Sequence, residues 1–202
     1  MHRNFVKIIN PLGEENSVMR TMLIPNMMEV LSKNYSQGNK EVALFEIGRI
    51  FNDSKINCDG QPVEAEDLCI AFYGGKDDFY TLKGYVQGLL EKLGIPDAEY
   101  TAEKGLAIYH PGRCADVRAN GELLGTMGQI RPDVSERYGI DEDVYLCELC
   151  FSAIMRQTDT DFVYRPLPKY PAVTRDLAVL VDEEVTIAQL EHVISDRGGA
   201  IL

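Results

Sequence analysis

The 202-residue sequence predicts an α+β domain built on an antiparallel sheet. Asn120-Gly121 sits between two strand-like runs, the strongest short-range signal for a β-hairpin with a type I′ turn. Phe79, Leu82, Val86, Leu89, Leu90 and Leu93 recur at helical spacing. Short strands and helices mix, without the βαβ rhythm that would build a parallel sheet.

Taken in order, FVKIIN (5–10) reads as a short strand and 11–17 as a polar turn. Pro25 suits the first turn of a helix whose Ile24, Met28, Leu31 and Tyr35, with Met27 beside them, form one apolar stripe for core or interface packing. Gly38 and Asn39 stop it. VALFEIGRIF (42–51), nearly continuous in apolar residues, is the pattern of a strand covered on both faces, interrupted by Arg49. Polar residues with a Gly and a Pro make 52–67 a surface loop, and LCIAFYGG returns to strand.

Asp77 or Asp78 can cap the next helix, which runs to Gly94. Its Gly84 and Gly88 each cost about 1 kcal/mol relative to Ala, which implies close packing or marginal stability. After the Asn120-Gly121 hairpin, Pro132 opens a short helix through Tyr138, and 144–151 is a strand. The first domain is therefore expected over 1–159. Pro166, Pro168 and Pro171 make 160–172 an extended linker. Beyond it, RDLAVLVD (175–182) has strand pattern, and Thr186 with Gln189 forms a capping box ahead of Ile187, Leu190, Val193 and Ile194. One strand and one helix cannot bury both faces, so 173–202 is expected to be a unit cut short.

Composition excludes several classes. No run of about 18 apolar residues exists to span a membrane, and the opening MHRNFVKIIN lacks the pattern of a signal or transit peptide. A cytoplasmic protein is expected. Against 20 Lys plus Arg stand 32 Asp plus Glu, a formal charge of −12 that repels a phosphate backbone at long range. Five cysteines at irregular spacing, in a chain too large to need disulfide staples, are expected to be reduced.

Chemistry-bearing motifs are scarce. There is no Walker A loop, no dinucleotide fingerprint, no nucleophile elbow and no H-E-x-x-H. Cys147 and Cys150 form a C-x-x-C, but in a strand that spacing turns the two thiols to opposite faces. His110, in YHPGR, reads as a connector residue before proline, and Gly74-Gly75 as a turn, since Asp77 and Asp78 beside it would oppose a phosphate. No residue is assigned a catalytic, cofactor-binding or metal-binding role.

The motifs do assemble into a resemblance. NPLGEENSVMRTMLIPNMMEVLSKNYSQGNKEVALFEIGRIF (10–51), YHPGRCADV (109–117), NGELLGTMGQIRPDV (120–134) and the strand ending in Glu148-Leu149 resemble the catalytic-like domain of the bacterial phenylalanine–tRNA ligase beta subunit, in the same order. RPLPKYPAVTRDLAVLVDEEVTIAQLEHVI (165–194) is similar to the start of its ferredoxin-like anticodon-binding domain. The resemblance implies a class II tRNA ligase-like antiparallel sheet flanked by helices, followed by a truncated ferredoxin-like domain. It also implies an alpha-subunit partner carrying the active site, phenylalanine tRNA in the intact complex, and ATP with magnesium for the whole enzyme.

In that fold an arginine ending the second motif neutralises the ATP α-phosphate. The catalytic pattern G-R-V-Y-R corresponds here to Gly48-Arg49-Ile50-Phe51-Asn52, so an amide stands in place of that cation. The third motif, a glycine-rich strand and helix ending in a second arginine, has no counterpart in the sequence. Arg49 is expected in an ion pair or interface contact rather than on substrate. Two readings are open: an inactive structural and assembly part of a heterotetrameric ligase, or an autonomous nucleotide- or small-molecule-binding enzyme reusing the fold.

Overall fold

The computed structural model describes residues 5–56, 61–159, 164, 169, 171 and 173–199, and of Glu15 and 52–56 the backbone alone. The chain divides into two compact units, Met1–Asp161 and Phe162–Leu202.

The first unit is one six-stranded sheet in the order β1-β2-β6-β5-β4-β3. The strands are β1 (Val42–Ile56), β2 (Pro62–Tyr73), β3 (Glu99–Ala102), β4 (Tyr109–Ala119), β5 (Glu122–Ile130) and β6 (Val144–Cys150). Every neighbouring pair is antiparallel. The helices are α1 (Ile24–Ser36), α2 (Phe79–Lys92), α3 (Pro132–Arg137) and α4 (Phe151–Gln157). Local chemistry explains several of them. Asn120 and Gly121 both adopt positive φ, 48° and 78°, and bring Ala119 opposite Glu122, as the tight hairpin requires. Asp78 accepts from the Thr81 N–H while the Thr81 hydroxyl accepts from the Asp78 N–H, a reciprocal cap that fixes the start of α2.

Because side chains alternate along each strand, the sheet builds two cores. Phe72, Val117, Leu124, Met127, Cys147 and Leu149 pack against Leu82, Val86 and Leu90 of α2 and Ile154 of α4. Cys69, Tyr73, Tyr109, Ile130 and Leu146 face Leu23, Met28 and Leu31 of the α1 side. The methionine stripe of α1 is thus core, and burying each such side chain contributes about 2 kcal/mol.

Several expectations are corrected. FVKIIN makes a single bridge, Lys7 to Val18, rather than a strand, because no further partner chain runs beside it among the described residues. The segment 52–67 is mostly hairpin: pairing carries β1 to Ile56 and starts β2 at Pro62, overriding its polar composition. β1 is an edge strand and is not covered on both faces, since Phe45 is 73% exposed. Gly84 and Gly88 have open space around them rather than close packing. β3 and α4 were not predicted.

In the second unit Thr186 and Gln189 form the expected reciprocal cap on α5 (Ile187–Gly198). RDLAVLVD is not a strand, for it has no ladder partner among the described residues. The proline linker of 160–172 lies outside the described residues apart from Tyr164, Lys169 and Pro171.

Candidate functional site

α1 begins without a cap from its own sequence. Its first free N–H groups, on Leu23 and Ile24, donate instead to Glu148 Oε1 and Oε2 at 2.9 and 3.2 Å. Glu148 reaches them because β6 lies centrally in the sheet, with its even-numbered side chains on the α1 face. β2 pairs Cys69 with Glu148 and Asp67 with Cys150, which sets Asp67 diagonally beside Glu148 on that face. The two carboxyls hydrogen-bond to one another.

Burial pushes Glu148 up to about 7, the Leu23 N–H opposing and the Asp67 charge adding to the rise. Burial also raises Asp67, partly offset by the bond from Glu148. The pair therefore holds a common proton up to near-neutral pH, carried mainly by Glu148.

These groups line a cleft of about 400 Å³ with Thr21, Met22, Tyr109 and Thr126. Thr126 donates to Asp116 at 3.1 Å, and the buried Tyr109 hydroxyl has no hydrogen-bond partner among the described residues. No Lys or Arg lines the cleft among the described residues. Its chemistry is that of a helix-capping acid pair, which opposes a polyphosphate rather than neutralising one.

Arg49 projects from β1 and pairs with Glu64 and Glu66 at 3.1 and 3.8 Å across the β1–β2 ladder, the ion pair expected from the sequence. Asn52 pairs through its main chain with Val63, and its side chain lies outside the described residues. β6 runs directly into α4, a strand–helix unit without glycine whose Arg156 is held by Glu122 at 2.5 Å. His110 Nδ1 accepts from the Gly112 N–H at 3.1 Å, a local turn contact in β4. Gly74 and Gly75 form a turn at positive φ. Cys147 is buried and its thiol is pushed up to about 12, while Cys150 lines the cleft on the opposite face. The four described cysteines are free, and no group of three or more metal-ligating side chains is assembled among the described residues.

Two features escaped the sequence. One is the Asp67–Glu148 pair, which depends on β2 lying beside β6. The other is an apolar groove of about 500 Å³ on the opposite face, between Phe45 and Ile47 of β1, Tyr85 and Leu89 of α2, and Met155 of α4. Alternation of Phe45 and Ile47 along an edge strand was the one signal that pointed to it.

Sheet order and flanking helices define an α+β fold shared with a tRNA synthetase. The pyrrolysyl tRNA synthetase PylSc of Desulfitobacterium hafniense superposes with a TM-score of 0.59 at 18% identity, over 73% of this chain and 52% of that one. Sequence takes the assignment further. Residues 1–151 match the model of the phenylalanyl tRNA synthetase beta chain CLM domain, and the chain belongs to that family. Phenylalanine–tRNA ligase beta subunits of Clostridium tetani and Clostridium acetobutylicum are each 42% identical over 99% of this chain. That of Bacillus subtilis is 37% identical over 95%. In all three the chain spans 25% of the relative's length. No helix among the described residues is long and apolar enough to cross a membrane.

Proposed function

We propose that this chain is a non-catalytic structural and assembly part of a phenylalanine–tRNA ligase, which packs on the alpha subunit and supports the binding of phenylalanine tRNA in the cytoplasm. The observation that carries this reading is the cleft on the α1 face. It presents Asp67 and Glu148 and no cation among its described lining residues, while Arg49 is tied to two glutamates. Activation of an amino acid with ATP places growing negative charge on phosphate, and positive groups are what stabilise it. Asn52 in the position of the second-motif arginine supports the same conclusion. ATP and magnesium then belong to the alpha subunit's site, and this chain binds neither on its own.

Residues 1–159 form the catalytic-like domain in this reading, 160–172 the linker, and 173–202 the start of a ferredoxin-like anticodon-binding domain. Of the strand and helix expected at the start of that domain, the helix α5 with its capping box is formed and the strand over 175–182 is not. ATP–pyrophosphate exchange with phenylalanine tests the proposal. The isolated chain is expected to give no exchange above background, and co-expression with the matching alpha subunit is expected to give co-purification. Clear exchange by the chain alone, or an alpha subunit that ignores both this chain and a full-length beta subunit, would overturn it.

A further inference from the structure

Tyr109 holds a donor without an acceptor among the described residues. The residue is 3% exposed, and an unpaired hydroxyl is a costly group to bury. The sheet fixes where it is aimed. Tyr109 pairs with Ile130, and its ring passes Gly128, the next residue of β5 on the α1 face, where a Cβ would stand 3.0 Å from Tyr109 Cδ1. Thr126 follows on that face, directly opposite Glu148 of β6. The side chain therefore runs along this row toward the cleft that Thr126, Glu148 and Asp67 line. Burial, then the neighbouring thiols and Glu148, push the hydroxyl well above the ordinary tyrosine value, so it stays a donor.

The acid pair in the same cleft is unevenly compensated. The Leu23 and Ile24 N–H groups offset the charge of Glu148, whereas Asp67 has the Glu148 carboxyl as its hydrogen-bond partner. No cation lines the cleft among the described residues. A common proton leaves the pair with one negative charge, and a buried charge calls for a partner of opposite sign. Around these polar groups Met22, Ile24, Leu106, Ile108 and Leu123 give the cleft, about 400 Å³ in volume, an aliphatic wall.

These groups select a ligand by chemistry. Asp67 calls for a cation, Tyr109 for an acceptor, and the wall for an aliphatic tail. The acid pair opposes a carboxylate or phosphate, so the acceptor must be a neutral oxygen. We propose that the cleft binds a small aliphatic amino alcohol, or another organic ammonium with a neutral oxygen beside it, placing the ammonium on Asp67 and Glu148 and the oxygen on the Tyr109 hydroxyl. Free amino acids are refused by the same charge that holds the ammonium. All of these groups belong to one chain, so binding does not depend on the alpha subunit.

Titration of the whole 202-residue chain with leucinol, followed by amide NMR shifts, tests the proposal. Saturable shifts are expected at Leu23, Ile24, Gly125 and Thr126, with a Kd on the order of 1 mM. Isopentylamine keeps the tail and the ammonium but lacks the oxygen, and is expected to bind roughly five-fold more weakly. Leucine, which adds a carboxylate, and 4-methylpentan-1-ol, which lacks the ammonium, are expected not to saturate. Tyr109→Phe should reduce leucinol to the affinity of isopentylamine and leave isopentylamine unchanged. Asp67→Asn should weaken both amines about ten-fold. Removing an unpaired buried hydroxyl does not destabilise, so the urea midpoint of Tyr109→Phe is expected to equal or exceed that of the parent. No saturation up to about 20 mM leucinol, or leucine binding as well as leucinol, would overturn the proposal. So would a Tyr109→Phe variant that unfolds, that keeps full affinity for leucinol, or that loses both amines alike.

Discussion

Glu148 does two tasks that pull against each other. As an anion it caps α1 through the Leu23 and Ile24 N–H groups; as an acid it can donate to Asp67. Its folded value of about 7 stands above the ordinary 4.5. Between those values the folded chain keeps a proton that the unfolded chain has released, so the contribution of this group to stability falls as pH rises through the window. Asp67, also raised, adds to the same slope. The loss amounts to about 2 kcal/mol from pH 4.5 to 7, with allowance for the partial access of water. Glu148→Gln removes the titration while keeping an N–H that can serve Asp67. We expect urea unfolding to place the variant about 1 kcal/mol below the parent near pH 5, where one backbone donor loses its acceptor. Near pH 7.5 the order should reverse, with the variant about 1 kcal/mol above a parent that has lost the contribution of Glu148. Equal losses in both proteins across the window would show that Glu148 is not the group responsible.

At the scale of elements, α2 is the test of local coding. Asp78→Ala removes one half of its reciprocal cap and is expected to cost about 1 kcal/mol in denaturant unfolding, with Thr81→Ala costing less. Gly84→Ala and Gly88→Ala go the other way. Nothing lies within 4 Å of a Cβ built at either position, so each should gain about 0.5–1 kcal/mol of helix stability. A loss at either glycine would mean that a neighbour does approach there. The same distinction explains what the sequence made legible. α1, α2, the capping box of α5 and the Asn120-Gly121 hairpin are encoded by residues a few positions apart, and each is where spacing and turn chemistry put it. The polar ends of β1 and β2 are strands only because they pair with each other, and RDLAVLVD, with suitable residues but no partner, is not one. The candidate site was legible in part. Arg49 and its acidic neighbours lie on a hairpin and could be anticipated. Asp67 and Glu148 meet only through the sheet order, which no local pattern specifies.

For the molecule as a whole, the two units differ in what holds them. In the first, β2, β5 and β6 are interior strands with apolar side chains buried on both faces, so opening them requires loss of both cores. In the second, none of the residues of α5 is buried; Val193 is 58% exposed and Ile194 37%. A helix of 12 residues is marginal in water by itself, and the cap from Thr186 contributes only about 1 kcal/mol. Amide exchange should therefore split along the chain. Amides of α5 are expected to exchange by local opening, orders of magnitude faster than those of β6, and to respond little to denaturant below the main transition. Amides of β2, β5 and β6 should exchange only through global unfolding and slow together when the first unit is stabilised, for instance by Gly84→Ala. Protection of α5 equal to that of β6 would contradict this division, because such protection would require buried contacts that α5 does not make within its own unit.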